Sequence, residues 1–324
     1  MPITSPASYL PVIRAFLQHW AAVNAELGAG SPLVLLGNRG VAELSALQEE
    51  LEGARDRVVV AQVDRSLARE QLNDRIAALQ GRLVEFNARV RADFAGTPFA
   101  RVLGDAFALG DGEKAVREAL RGMSRLWARI EGLASPPPGV AWPLVLLGGY
   151  TRTALEADRE ALDAAYGVLS VAEVDLKLAR EQRNEVQQAI RPLLSAYRKR
   201  VPTALPGGHP LLAALPVLSP KPGPRPKPVA ATATWDATAA EARVTWKASS
   251  EPELLAYEVR GVPGESYEAE DEVVLAVVPP DGPRVLLTGF GLGAPGASAG
   301  YRLYVVLGSG RERGGAPVFV RHPG

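Results

Sequence analysis

The chain has no cysteine, only three histidines and only two methionines in 324 residues. Without cysteine it can form no disulfide, no thiolate metal site and no cysteine nucleophile. The histidines, His19, His209 and His322, lie in different segments, and none has a second ligand at metal-binding spacing. We therefore predict that the protein is not an enzyme and carries no catalytic residue, no metal and no cofactor.

An excess of one charge and a long apolar run are also missing. The 36 basic and 36 acidic residues balance, which removes a bulk electrostatic attraction to nucleic acid or membranes. No apolar run approaches the roughly 20 residues that span a bilayer. Residues 1–6 lack the basic region and apolar core of a signal peptide. We expect synthesis in the cytoplasm and no membrane span; the final location, including an exported or extracellular assembly, stays open.

What the chain does contain is an internal repeat. Pro32–Gly37 (Pro-Leu-Val-Leu-Leu-Gly) recurs letter for letter as Pro143–Gly148, 111 positions later. Leu67–Gln71 recurs as Leu178–Gln182 at the same spacing. Two separate blocks that share one spacing indicate a duplicated structural unit.

Each repeat predicts a short helix followed by a long one. In the first, apolar residues recur at helical spacing up to Gly28, and a heptad-like series then runs from Leu44 to Val90. Unbroken, that second helix is about 75–80 Å long. Whether it is continuous stays open; any interruption is expected at Gly53 or Gly81. In the second repeat we expect Pro192 to kink the long helix or end it early.

After residue 202 the pattern changes. Lys221–Pro228, in which prolines alternate with basic residues and glycine, predicts a semi-rigid linker. Beyond it the apolar period becomes two between Gly- and Pro-rich turns, which is typical of a small β-sandwich.

Three segments of this last region resemble the fibronectin type III family. Trp246 stands where that family buries a strand-B tryptophan, and residues 257–259 match its strand C. Residues 301–305 match strand F, which carries the tyrosine corner, although the Gly/Ala-rich Gly289–Gly300 replaces the usual Leu-Pro. The helical part resembles, more loosely, uncharacterised bacterial proteins that join one helical hairpin to one such domain. The resemblance implies an architecture and no activity.

We therefore predict a multidomain, α-then-β chain. A helical bundle of two duplicated hairpins with long coiled-coil-like helices precedes a fibronectin type III-like β-sandwich. The predicted boundaries are helical repeat units at 1–110 and 111–216, a Pro-rich basic linker at 217–228 and the sandwich at 229–324.

Several motifs have both a chemical and a structural interpretation. Asp64 and Asp175, with Glu70 and Glu181, could form a carboxylate metal bundle, but these helices contain no histidine. We favour exposed helix charges, or ion pairs with Arg65 or Lys177. Gly291–Gly296 matches GxGxxG, but a strand follows it where a dinucleotide site needs a helix, so we predict a loop.

The segment Arg191–Pro228 carries seven basic residues and no acidic one. It could contact phosphates, attract the acidic stretch between 265 and 272, or meet a neighbouring copy. Aromatic residues are nearly absent from it, so nucleic-acid binding is the alternative that we favour least.

The repeated apolar connector is the candidate contact site. It either packs over the bundle end or forms an exposed subunit-contact patch. Its residues are Leu33, Val34, Leu35, Leu36, Leu144, Val145, Leu146 and Leu147.

Duplication and long helices favour a non-enzymatic structural protein that self-associates as an oligomer, filament, tube or appendage. A helix of about 20 residues cannot cover so long a seam, so another long helix, from the repeat or from another subunit, should cover the rest. In that assembly the sandwich decorates the bundle or contacts the next subunit. The first alternative is a module that binds a protein or a carbohydrate, with Trp235, Tyr267 and Phe290 as candidate aromatics; a metal- or cofactor-carrying bundle is the second. We expect no small-molecule substrate.

Overall fold

The computed structural model describes residues 2–28, 30–103, 112–135 and 137–323, and it confirms the α-then-β order. Six α-helices precede eight strands in this part of the chain. The helices are α1 (Tyr9–Leu27), α2 (Val41–Asp93), α3 (Pro98–Val102), α4 (Glu113–Glu131), α5 (Arg152–Ala204) and α6 (Pro210–Ala213). None of the described helices combines the length and apolar character of a bilayer span.

The two long helices, α2 and α5, are each continuous over 53 residues. α2 runs through Gly53 and Gly81 without a break, which answers the question of continuity that the sequence left open. An early end at Pro192 is wrong, because α5 continues through Pro192 and Pro202 to Ala204. Buried residues next to these positions, such as Leu51 before Gly53 and Leu193 after Pro192, supply packing energy that outweighs the local helix penalty.

The chain divides into two compact units. Unit 1 comprises Met1–Val63 and Asp175–Gly324, and unit 2 comprises Asp64–Val174. The two boundaries are 111 residues apart, which is the spacing of the sequence repeat. Each unit therefore contains a short helix, the N-terminal part of the long helix that follows it and the C-terminal part of the other long helix. Each unit thus mixes residues of both repeats.

The helical core of unit 1 surrounds Trp20. Its ring stacks on Tyr197 with 4.3 Å between ring centroids, and its indole N–H donates to the carbonyl of Leu33 at 3.1 Å. Around this pair α1 packs against the start of α2 and the end of α5. The buried residues include Val12, Ile13, Phe16, Val23, Leu44, Leu51, Ile190, Leu194 and Val201.

The core of unit 2 repeats this arrangement around Trp127. Its ring stacks on Phe86 at 5.2 Å, and its indole N–H donates to the carbonyl of Leu144 at 3.3 Å. Both tryptophans are fully buried and occupy equivalent places in the cores of the two units. The other buried residues include Leu79, Leu83, Val90, Leu120, Met123, Ile130, Leu155 and Leu162.

The predicted seam of α2 packs on α5 within unit 1. Val58 and Ala61 of α2 form a small buried cluster with Leu176 and Ala179 of α5. The other repeat thus covers this part of the seam, which the short helix cannot reach.

The C-terminal part of unit 1 is the predicted β-sandwich. One antiparallel sheet has the order β1-β2-β5; in the other, β3 lies between β4 and β6, and both β7 and β8 pair with β6. Trp246, Tyr257 and Tyr301 are buried between the sheets. The strands are β1 (Ala231–Asp236), β2 (Glu241–Trp246), β3 (Leu254–Pro263), β4 (Val273–Val278), β5 (Val285–Thr288), β6 (Ser298–Leu307), β7 (Glu312–Gly314) and β8 (Val318–Arg321).

The tyrosine corner is present despite the altered sequence before β6. The hydroxyl of Tyr301 donates to the carbonyl of Phe290 at 2.9 Å. A tyrosine near the start of strand F bonds backbone a few residues upstream in this way in related sandwiches. The Gly/Ala-rich segment therefore preserves the contact that the resemblance predicts.

Candidate functional site

The repeated connector folds into the same tight turn in both units. The amide of Leu35 donates to the carbonyl of Arg39 at 2.8 Å, and the amide of Leu146 donates to that of Tyr150 at 2.9 Å. Two residues with positive φ follow the exposed leucine in each turn. They are Gly37 and Asn38 in unit 1 and Gly148 and Gly149 in unit 2.

The eight candidate contact residues alternate between the core and solvent. Leu33, Leu35, Leu144 and Leu146 are buried, whereas Val34 and half-buried Val145 lie between them. At the turn tips Leu36 is 98% exposed and Leu147 is 76% exposed. An extended backbone turns successive side chains to opposite sides, so each connector has one packed side and one exposed side.

A second exposed apolar surface lies on the long helices. Val60, Val63 and Leu67 of α2 recur 111 residues later as Val171, Val174 and Leu178 of α5, and all six are between 41% and 62% exposed. Steps of three and four residues place each set on one side of its helix. We name these sets the α2 stripe and the α5 stripe; neither was identified from the sequence, although the repeat contained the signal.

Within unit 1 a buried carboxylate attaches the sandwich to the helices. Asp271, in the single 3₁₀ turn before β4, has a side chain that is fully buried. It accepts from Arg183 Nη1 of α5 at 2.8 Å, from Arg180 Nε of α5 at 3.0 Å and from Gln62 Nε2 of α2 at 2.6 Å. Arg55 of α2 also donates to the carbonyl of Glu272 at 3.0 Å. We name this group the Asp271 clamp.

Glu270 and Asp271 of the acidic stretch thus pair with two arginines of α5 and not with the basic segment that the sequence suggested. Arg180 and Arg183 lie before Arg191, and they belong to a helix in which acids and bases alternate. Only the packing of the sandwich against α5 distinguishes these two arginines from the other charges on the helix.

A second buried network covers the outer face of the sheet that contains β3 and β4. Arg260 of β3 donates to Glu258 at 2.7 Å, to Glu272 at 3.2 Å and to both oxygens of Glu312. Its guanidinium also lies 3.8 Å from the ring centroid of Tyr304. We name this group the Arg260 network.

The pKa values of this network follow from burial and charge. Burial alone would lower the pKa of Arg260, but the hydrogen bonds and charges of Glu312, Glu258 and Glu272 raise it above its ordinary value. Burial raises the pKa of Glu258 despite the opposing effect of Arg260, and it raises the pKa of Tyr304 to about 12. At neutral pH Arg260 therefore keeps its charge and holds the three carboxylates together.

The N-terminal segment meets this sheet face. Arg260 Nη1 donates to Ser5 Oγ at 3.1 Å, and the amide of Ile3 donates to the carbonyl of Leu218 at 3.1 Å. The Pro-rich segment is also attached, since the amide of Lys221 donates to the carbonyl of Ser309 at 3.1 Å and that of Lys227 to Glu251 at 2.8 Å. The sandwich in unit 1 is therefore docked on its helices.

The three histidines occupy three separate places. His19 is buried, with Nε2 2.8 Å from the carbonyl of Leu211 and Nδ1 2.7 Å from the hydroxyl of Tyr197. A carbonyl only accepts, so Nε2 carries the proton, and in the neutral ring Nδ1 accepts from the tyrosine. His209 lies 3.3 Å from Glu26, and the ring of His322 lies 4.3 Å from that of Trp235.

The remaining motifs are placed as follows. Asp64, Asp175, Glu70 and Glu181 are all exposed, and Glu181 lies 4.0 Å from Lys177. Arg65 pairs with Glu173 instead, at 3.8 Å. The residues of the GxGxxG match lie between β5 and β6, outside any helix. Within the described ranges no group of three or more His, Asp or Glu side chains could hold a metal ion.

The three candidate carbohydrate-binding aromatics are half-buried and do not form a platform. Trp235 packs on His322, and Tyr267 packs under the guanidinium of Arg302, which lies 4.8 Å from its ring centroid. Phe290 packs against the sandwich core. Their rings are engaged within the sandwich.

No protein-family model and no curated protein sequence matches the chain. Among solved structures, the crystal structure of an Fn3-like protein from Clostridium thermocellum is similar, at 18% identity and a TM-score of 0.24. The match covers 31% of this chain and 97% of that one.

Proposed function

We propose that the protein is a non-enzymatic structural protein that associates with further copies of itself. The observation that carries the proposal is the apolar stripe on each long helix, present at equivalent positions in both repeats. Each stripe exposes two valines and a leucine on a helix whose other exposed side is mostly charged or polar. Exposed apolar side chains grouped at helical spacing mark interaction surfaces more often than single ones do.

The partner that we propose is a second copy. A stripe of this spacing is complementary to another stripe of the same spacing, and a two-fold axis brings the same surface of two copies together. The seam formed by Val58 and Ala61 is already covered by α5, whereas the outward stripes are apolar helix surfaces that remain exposed for association.

The connector turns offer a second contact of the same kind. Leu36 in unit 1 and Leu147 in unit 2 project from equivalent tips, so a copy has two such contacts. Two contacts on one molecule can produce rings or filaments, whereas a single self-complementary contact produces a dimer. The docked sandwich stays attached to its helices in either assembly.

Light scattering coupled to size-exclusion chromatography tests the proposal. We expect the wild-type protein to exceed its 34.4 kDa monomer mass in a concentration-dependent way. Val60→Glu combined with Val171→Glu places a charge in both stripes, and we expect it to lower the apparent association constant by about tenfold or more.

The matched control is Val277→Glu, which makes the same change at a valine of β4 that is 51% exposed. It should leave association unchanged. Leu36→Glu with Leu147→Glu measures the contribution of the turn tips in the same assay. A wild-type protein that stays monomeric at the highest concentration reached would overturn the proposal.

A further inference from the structure

An open cleft in unit 1 is lined by three arginines. Its volume is about 600 Å³, which lies in the range of small-molecule sites. Three parts of the chain form it: the N-terminal segment with Ile3 and Thr4, the Pro-rich region, and β7 with the end of β6. The arginines are Arg225, Arg311 and Arg313.

Among the residues that the structure describes, no carboxylate pairs with these three arginines. Arg311 uses its Nε to donate to the carbonyl of Lys221 at 3.1 Å, which holds its side chain. Within the described part of the chain, the guanidinium groups of Arg225 and Arg313 form neither a hydrogen bond nor an ion pair.

Glu312, the carboxylate that lines the cleft, pairs with Arg260. Glu312 bonds Arg260 through both of its oxygens, and its side chain is 12% exposed. Arg260 is also bonded to Glu258 and Glu272, so one guanidinium faces three carboxylates and the network keeps an excess of negative charge. Those three carboxylates are 12% exposed or less, whereas Arg225 and Arg313 are exposed, so the positive charges of the cleft lie nearest to solvent.

The wall of the cleft is shaped around Tyr304. Its ring lies against β7, where a Cβ on Gly314 would come within 2.9 Å of it. The hydroxyl of Tyr304 donates to Glu272, which fixes the ring. Ile3 and Pro220 also line the cleft and add an apolar wall.

We infer that this cleft binds a small ligand that carries two or more phosphate groups. Guanidinium groups match phosphate oxygens with paired hydrogen bonds, and three of them in one cleft favour a ligand with several negative charges over a single carboxylate. The apolar wall leaves room for an organic group beside the phosphates. Arg225 supplies one charge from the basic segment whose role the sequence left open.

Isothermal titration calorimetry with pyrophosphate tests the inference, at an ionic strength of about 0.15 M so that diffuse attraction is screened. We expect wild-type protein to bind, and Arg225→Gln with Arg313→Gln to weaken binding by about tenfold or more. Both side chains are exposed, so these changes should preserve the fold, which circular dichroism checks.

Arg284→Gln is the matched control, because it removes an exposed arginine of the same sandwich that does not line the cleft. It should leave the affinity unchanged. Tighter binding of ADP than of pyrophosphate would identify a nucleotide, and equal binding would identify the diphosphate itself; both support the inference. No binding by wild-type protein, an equal loss in the control, or tighter binding of citrate would overturn it. None of these outcomes depends on whether the protein associates with itself.

Discussion

The two units pair equivalent arginines with carboxylates from different parts of the chain. In unit 2, Arg69 of α2 faces Glu173 of α5 at 3.5 Å, on the surface. The equivalent positions in unit 1 are Arg180 of α5 and Gln62 of α2. There the helix supplies no carboxylate, and Asp271 of the sandwich bonds both side chains.

A second difference between the repeats also concerns a residue that contacts Asp271. Leu72 belongs to the buried apolar cluster of unit 2, whereas the equivalent residue in unit 1 is Arg183. Arg183 is buried and donates to Asp271 and to the carbonyl of Glu270. Where unit 2 has Glu173 and Leu72, unit 1 has Gln62 and Arg183. These two residues of unit 1 are the ones that bond Asp271 of the sandwich.

The aromatic cores differ by one matched pair as well. Tyr197 and His19 bond each other in unit 1, and unit 2 has Phe86 and Leu126 at the corresponding places in its core. A polar pair in one unit is therefore an apolar pair in the other. In unit 1, Tyr197 bonds His19 and Arg183 bonds Asp271, so each polar residue that stands in place of an apolar one of unit 2 has a polar partner.

The largest expected effect comes from removing the clamp carboxylate. Asp271→Asn keeps the side-chain volume but removes the buried carboxylate, so that Arg180 and buried Arg183 keep only the half-exposed Glu270, 3.6 Å from each, as a counter-ion. We expect the change to cost about 3–5 kcal/mol of unfolding free energy. Urea denaturation measures the loss, and proteolysis within Lys221–Pro228 reports whether the sandwich comes away from its helices.

The matched control removes the equivalent carboxylate of unit 2. Glu173 is about half exposed, so Glu173→Gln should cost less than about 1 kcal/mol. Equal losses for the two variants would contradict the distinction between a buried clamp and a surface ion pair.

The next effect comes from restoring the symmetry between the repeats. Gln62→Glu gives unit 1 the carboxylate of unit 2, but it now lies beside Asp271, where Gln62 Nε2 and Asp271 Oδ2 are 2.6 Å apart. Two adjacent carboxylates raise the pKa of one of them, and we expect a loss of about 1–3 kcal/mol at pH 7. Because the folded state then binds the proton more tightly, the loss should shrink as the pH falls through that raised pKa.

Gln62→Glu combined with Asp271→Asn removes the repulsion and returns one carboxylate to the two arginines. The double variant should be more stable than the sum of the single losses, which a double-mutant cycle measures. Additive losses would show that the two side chains do not interact.

The smallest of these effects concerns the aromatic pair. Tyr197→Phe copies Phe86 into unit 1 and leaves Nδ1 of buried His19 without its donor, which we expect to cost about 1–2 kcal/mol. Adding His19→Leu completes the pattern of unit 2 and should recover part of the loss. Thermal denaturation followed by circular dichroism compares the variants, and a double variant that is less stable than Tyr197→Phe would contradict the matched-pair interpretation.

Several elements were predictable because their signals are local. The heptad series from Leu44 to Val90 predicted α2, the two copies of the connector fold alike, and the period-two segments after Pro228 predicted the sandwich strands. The continuity of α2 at Gly53 and Gly81 and of α5 at Pro192 has one cause. Local propensity costs a few kcal/mol at most, and burial of neighbouring residues on a long helix outweighs it.

By itself, the sequence determined the duplication, the helix and strand periods and the order of the α and β parts, because neighbours along the chain carry these signals. The tertiary structure alone decided that each compact unit mixes both repeats, that Asp271 meets Arg180 and Arg183, and that the two stripes stay exposed. Such contacts join residues far apart in sequence, and their energy depends on burial. The sequence contains many similar charges, and only the folded chain shows which of them are buried.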